Sequence, residues 1–132
     1  MKVFFHRYVL LMLLAVVVVG CSTQKPLQNI TNSPIPAALT LKQVEKAIVA
    51  AGVIKGWQMK VVQPGVIEGS LTLRVHTARI RINYTNSVYN ITYVDSTALD
   101  YSAEKNLIHR NYNNWITGLD RQIQAELGRS AL

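Results

Sequence analysis

The hydrophobic positions of this chain fall into distinct regimes. Residues 8–19 (YVLLMLLAVVVV) are apolar without a break. Residues 22–39 (STQKPLQNITNSPIPAAL) hold three of the four prolines with Ser, Thr, Asn and Gln, and neither a helical nor a strand period survives there. From Thr40 a helical period takes over: Leu41, Val44, Ala47, Ile48 and Ala51 fall within about 120° on a wheel of 100° per residue. Thr40-Leu41-Lys42-Gln43 is a capping-box pattern, and Gly52 offers the left-handed position that ends a short helix.

Period two follows. Trp57, Met59 and Val61 alternate with polar residues, Pro64-Gly65 signals a turn, and Leu71, Leu73 and Val75 alternate with Thr72, Arg74 and His76. The phase flips at His76-Thr77, which predicts a tight hairpin or a bulge there; Ala78, Ile80, Ile82 and Tyr84 then face inward. After Thr85-Asn86-Ser87, Tyr89, Ile91 and Tyr93 repeat the alternation, while residues 95–106 read as a loop pinned by Leu99 and Tyr101. From about Leu107 to Leu127, Ile108, Tyr112, Trp115, Ile116, Leu119, Ile123 and Leu127 form one apolar stripe, with Gly128 and Arg129 as a stop. The predicted fold is α+β: a short N-terminal helix, a four-stranded antiparallel sheet and a long C-terminal amphipathic helix, with both helices on one sheet face.

The unbroken apolar run is preceded by Lys2 and Arg7 and followed by Gly20 and Cys21. Twelve helical residues span about 18 Å, short of the roughly 30 Å hydrocarbon core, so the run reads as a cleaved secretory signal. Val18-Val19-Gly20-Cys21 resembles a bacterial lipobox, with Val18 standing where Leu is preferred. That resemblance implies cleavage between Gly20 and Cys21, with Cys21 carrying an S-diacylglyceryl group and an N-acyl chain. Ser22 fits sorting to the outer membrane, which puts the remaining domain in the periplasm and excludes nucleic acid as a partner. The predicted organisation is a signal over 1–20, the lipidated cysteine and a flexible tether over 21–39, and one domain over 40–132. As a coil, residues 22–39 would hold that domain about 23 Å from the bilayer.

The scattered positions Trp57, Pro64-Gly65, Ile67, Arg74, His76, Ala78, Ile80, Ile82, Tyr84, Tyr89, Ile91, Tyr93, Ser96 and Leu99, with the stretch Ile108–Ile116 (IHRNYNNWI), resemble a group of small Gram-negative lipoproteins. The group has no assigned activity, so the resemblance implies an anchored domain and carries over no catalytic residue.

Composition narrows the chemistry further. The chain has 14 Lys and Arg against 7 Asp and Glu. Without residues 1–20, 12 basic residues remain, a surplus of five. A single cysteine excludes an intramolecular disulfide and any multi-cysteine metal site. His76, His109 and the acids form no metal-ligand or paired-carboxylate spacing, and no nucleophile motif is present. No catalytic residues, metal or cofactor are therefore expected, beyond the lipid on Cys21. Strand alternation points Lys60, Arg74, Arg79 and Arg81 away from the core, and arginine's planar fork suits phosphate or carboxylate. The three Asn-x-Thr triplets, at Asn29, Asn83 and Asn90, say nothing in a bacterial envelope protein. Arg110, Asn113 and Asn114 are expected on the outward side of the last helix. The expected function is a non-catalytic periplasmic domain on the outer membrane that contacts another envelope component. Binding of an anionic envelope polymer through the basic face is the first alternative, and a small hydrolase the second.

Overall fold

Thr40 caps the first helix as its sequence predicts. Its hydroxyl accepts the Gln43 N–H at 3.1 Å, and the Gln43 side chain accepts the Thr40 N–H at 2.8 Å. The helix, α1 (Leu41–Ile54), runs one turn-fraction past the predicted stop. Gly56, at φ 85°, takes the left-handed position instead of Gly52. Around it, Trp57 N–H reaches the Gly52 carbonyl and Gly56 N–H reaches Val53, the paired bonds of a Schellman motif. Gly52 lies inside the helix, where Met59 crosses its α-carbon; a β-carbon there would sit 2.4 Å from the Met59 side chain.

This computed structural model describes residues 22–36 and 38–132. Two strands, β1 (Gln24–Pro26) and β2 (Ile30–Pro34), precede α1; β3 (Gln58–Gln63), β4 (Val66–Leu73), β5 (His76–Tyr84), β6 (Val88–Thr97) and β7 (Leu107–His109) follow it, and α2 (Arg110–Ser130) closes the chain. The five-stranded sheet has the order β2-β6-β5-β4-β3, and β1 pairs with β7 in a second, two-stranded sheet. Every pairing is antiparallel. The α+β class stands, with five strands in the main sheet rather than four and with strands ahead of the first helix.

Along β5 the alternation is clean: Ala78, Ile80, Ile82 and Tyr84 are buried, while Arg79, Arg81 and Asn83 are exposed. These residues join Ile67, Leu71, Tyr89 and Ile91 of the sheet in one core with Val44, Ile48 and Ala51 of α1 and Tyr112, Ile116, Leu119, Ile123 and Leu127 of α2. The core thus lies between the helix pair and one face of the sheet, leaving the other face of β3–β6 open. Tyr89 OH donates to Asp120 at 2.5 Å and accepts from Gln124, and burial pushes its ionisation well above the ordinary phenol value. Tyr112 OH is buried with no hydrogen-bond partner among the described residues, and burial likewise raises its ionisation.

The largest departure from the sequence reading concerns residues 22–39, expected as a flexible tether. Over residues 23–35 the backbone is paired through strands and through side-chain amides. Asn113 of α2 accepts from the Gln28 N–H at 3.0 Å and donates to the Pro26 carbonyl at 2.9 Å. Asn90 accepts from the Asn32 N–H, Asn29 accepts from the Tyr93 N–H, and Gln124 donates to Ser33 and the Pro34 carbonyl. Ile35 and Leu39 complete the attachment in the core, at 8% and 5% exposure. Asn113 therefore faces the N-terminal segment rather than an open outer surface.

Candidate functional site

The open face of β3–β6 contains a groove of about 490 Å³ lined by Gln58, Met59, Lys60, Glu68, Gly69, Ser70, Arg79, Ile80, Arg81 and Val94. Register builds it. Lys60, Glu68, Arg81 and Thr92 stand in one row across the four strands. Gln58, Ser70, Arg79 and Asp95 stand in the next. Between these rows Gly69 occupies the strand position opposite Ile80. Its missing side chain lets Ile80 and Met59 pack against the strand, where a β-carbon would meet them at 3.1 Å and 3.2 Å.

A bulge in β6 supplies the acid at one end. Ile80 pairs with Tyr93 and Arg79 with Asp95, which leaves Val94 as the extra residue. Strict alternation after Tyr93 would turn Asp95 inward; the bulge turns it outward onto Arg79. Arg79 grips Asp95 through two hydrogen bonds, Nε to Oδ1 at 2.7 Å and Nη2 to Oδ2. The hydrogen bonds from Arg79 hold the Asp95 carboxyl below its ordinary value. Arg81 Nη2 meets Glu68 Oε1 at 3.2 Å. Both pairs are about half exposed. Lys60 stands beside Glu68 in register and has no ion-pair partner among the described residues.

Three of the four basic residues expected on this face, Lys60, Arg79 and Arg81, are there. Arg74 is not. It and Val75 form the loop of the β4–β5 hairpin, two residues earlier than the predicted flip, and Arg74 has φ 59°. Positive φ at the first loop residue alone matches a type II′ turn, the geometry that glycine ordinarily fills. Arg74 is therefore carried away from the face, and the charge there is mixed: Lys60, Arg79, Arg81 and Glu68 line the groove, and Asp95 pairs with Arg79 beside it. Glu68 and Asp95 are the residues that sequence reasoning missed. Glu68 was discoverable from the Pro64-Gly65 turn, which sets the β3–β4 register. Asp95 was not, because nothing in its neighbourhood marks the bulge.

The histidines come together elsewhere. The rings of His76 and His109 stack with centroids 6.5 Å apart. His76 Nδ1 contacts the Ala98 carbonyl at 2.8 Å, and His109 Nδ1 accepts the Asn111 N–H as the cap of α2. Asp95 is engaged with Arg79 and with neither histidine among the described hydrogen bonds. Among the described residues no group of three or more His, Cys, Asp or Glu stands where it could hold a metal ion. A smaller cleft of about 300 Å³ lies between Ile54, Lys55, Trp57, Leu71, Asn114, Trp115 and Gly118, where α1 and α2 meet the end of β4.

No described helix is long and apolar enough to cross a membrane. The signal over 1–20 and the predicted cleavage and lipidation positions, Gly20 and Cys21, lie outside the described residues. The sequence matches no family model and no curated protein.

Proposed function

We propose that this chain is an envelope lipoprotein, anchored through Cys21 to the outer membrane, whose non-catalytic periplasmic domain engages another envelope component with the open face of its sheet. The observation that carries the reading is the groove across β3–β6 with its exposed cross-strand ion pairs. Exposed pairs hold by about 0–1 kcal/mol, so their charges are available to exchange partners at little cost. A strip that offers Lys60, Arg79 and Arg81 beside Glu68 and Asp95 complements a polypeptide surface of mixed charge. A uniformly anionic glycan would meet both carboxylates, which weighs against the polymer reading. Val94 and Val62, at 41% and 49% exposure, add apolar contact.

Photo-crosslinking in cells tests the face directly. Probes at Lys60, Thr72 and Arg81 should capture one common protein, and Arg79→Glu with Arg81→Glu should abolish the capture. Capture no stronger than from Arg121, an exposed position on α2, refutes the assignment. Capture of glycan alone, weakening steeply with salt, would favour the anionic polymer instead. The anchor has its own test: Cys21→Ala should remain unprocessed and lack the lipid.

A further inference from the structure

Resting on the anchored reading, we infer that the domain is mounted directly on the bilayer, with the β1–β7 end against the lipid headgroups. The argument is one of reach. Thr23 is already fixed, because its carbonyl accepts the Arg110 N–H at 2.9 Å. The Gln24 side chain donates to the Asp100 carbonyl at 2.7 Å, and β1 pairs with β7 from Gln24 onward. Only Ser22 separates Cys21 from Thr23. Two residue steps of fully extended chain span about 7 Å. A lipid on Cys21 therefore holds this end of the domain within roughly 10 Å of the headgroup layer, where an 18-residue coil would have let it float free.

The surface at that end suits the position. Lys25 on β1, Lys105 in the loop after β6 and Arg110 at the start of α2 are exposed, as is Tyr101 at 41%. Tyr101 packs against Tyr93 at a tilt of 41°, with centroids 4.4 Å apart, which holds its ring in place. Long basic side chains and tyrosine are the residues that settle at a headgroup interface, with apolar stems inward and polar tips among phosphates. Asp100 and Glu104 share the loop, leaving three cations against two acids in this patch. The short connection carries the placement, and charge assists it. The first turn of α2 carries no acid. Its 21 residues reach about 30 Å from Arg110 to Ser130, so the far end of that helix provides an internal reference.

The test uses the complete lipidated protein in vesicles of phosphatidylethanolamine and phosphatidylglycerol. A fluorophore is placed on Lys105→Cys or on Ser130→Cys; the sulfur of a lipidated Cys21 is already alkylated and does not react. Nitroxide-headgroup lipid should quench the Lys105 site several-fold more than the Ser130 site. A flexible Gly-Ser insertion of about ten residues after Ser22 should erase that difference while the protein still floats with the vesicles. Flotation with equal quenching at both sites in the native chain overturns the mount and leaves the anchor standing. Loss of flotation overturns the anchor, and the mount with it.

Discussion

Ile35→Ala separates a folded N-terminal segment from a tether more sharply than any other single change. Ile35 precedes α1 by six residues in a stretch rich in proline and amides, where a coil would leave it in water and the substitution would cost nothing. In the fold it is 8% exposed and part of the common core. Its N–H donates to the Ser87 carbonyl at 2.9 Å, which ties it to the β5–β6 turn. Truncating a buried isoleucine to alanine costs about 2–5 kcal/mol; a site near the end of a segment relaxes more readily, which favours the lower half, about 2–3 kcal/mol. With a urea m-value of about 1–1.5 kcal/mol/M for a domain of this size, the midpoint should fall by about 2 M. Trp57, at 3% exposure, reports the transition by its fluorescence. A shift smaller than about 0.3 M would falsify the claim that this segment is part of the cooperative fold.

Asn113→Ala removes both amide bonds to Pro26 and Gln28; it should lower stability by about 1–2 kcal/mol and speed hydrogen exchange selectively at the Gln28 amide. Uniform loss of protection across the domain would contradict a local clamp. Tyr112→Phe should leave stability unchanged or raised within about 1 kcal/mol, because the hydroxyl it deletes is buried with no partner among the described residues; thermal denaturation checks this, and a clear loss would mean that the hydroxyl is satisfied. Arg74→Gly should stabilise the β4–β5 turn by about 0.5–1 kcal/mol, since glycine adopts φ 59° without a β-carbon clash; an unchanged urea midpoint would rule out strain at that loop. Asp95 should titrate below the ordinary carboxylate value of about 3.9, and Arg79→Ala should return it there, as read by carboxyl NMR shifts. Since the folded-state value is the lowered one, the pair's small contribution is present above the unfolded value and is lost as pH falls through the folded value. A wild-type Asp95 titrating normally would refute the paired geometry.

Where burial alone organises the chain, its pattern was legible. The α1 capping box, the α2 stripe and the inward positions of β5 follow from periodicity because each has one wet face and one dry face. β1 and β2 left no such trace. They are held at sheet edges by Asn29, Asn90, Asn113 and Gln124, polar side chains whose partners are backbone groups 58 to 90 residues away. An amide that closes a distant strand has the same local signature as one in a linker. The stretch Asn111-Tyr112-Asn113-Asn114 illustrates the difference: Tyr112 was readable as core, while the clamp made by Asn113 required knowing what lay opposite. In the groove, alternation was enough to place Lys60, Arg79 and Arg81. It misplaced Arg74, because the hairpin tolerates an arginine where glycine is usual, and it could not turn Asp95 outward.

The same amides change what an anchor at Cys21 would do. A coil of 18 residues would decouple the domain from the membrane and let the groove meet partners over a broad shell. Pairing of β1 with β7 and of β2 with β6 absorbs that length into the fold, so that Ser22 alone stands between the predicted lipid and a fixed residue. The N-terminal segment crosses from the β1–β7 end, past Asn113, to form β2, the outer edge of the main sheet beside β6. Any pull or tilt imposed at the lipid is thus passed to both sheets instead of being lost in slack. On this geometry an anchor at Cys21 would restrict orientation as well as location, and the proposed partner for Lys60, Glu68, Arg79 and Asp95 would have to present its complementary surface close to the same leaflet.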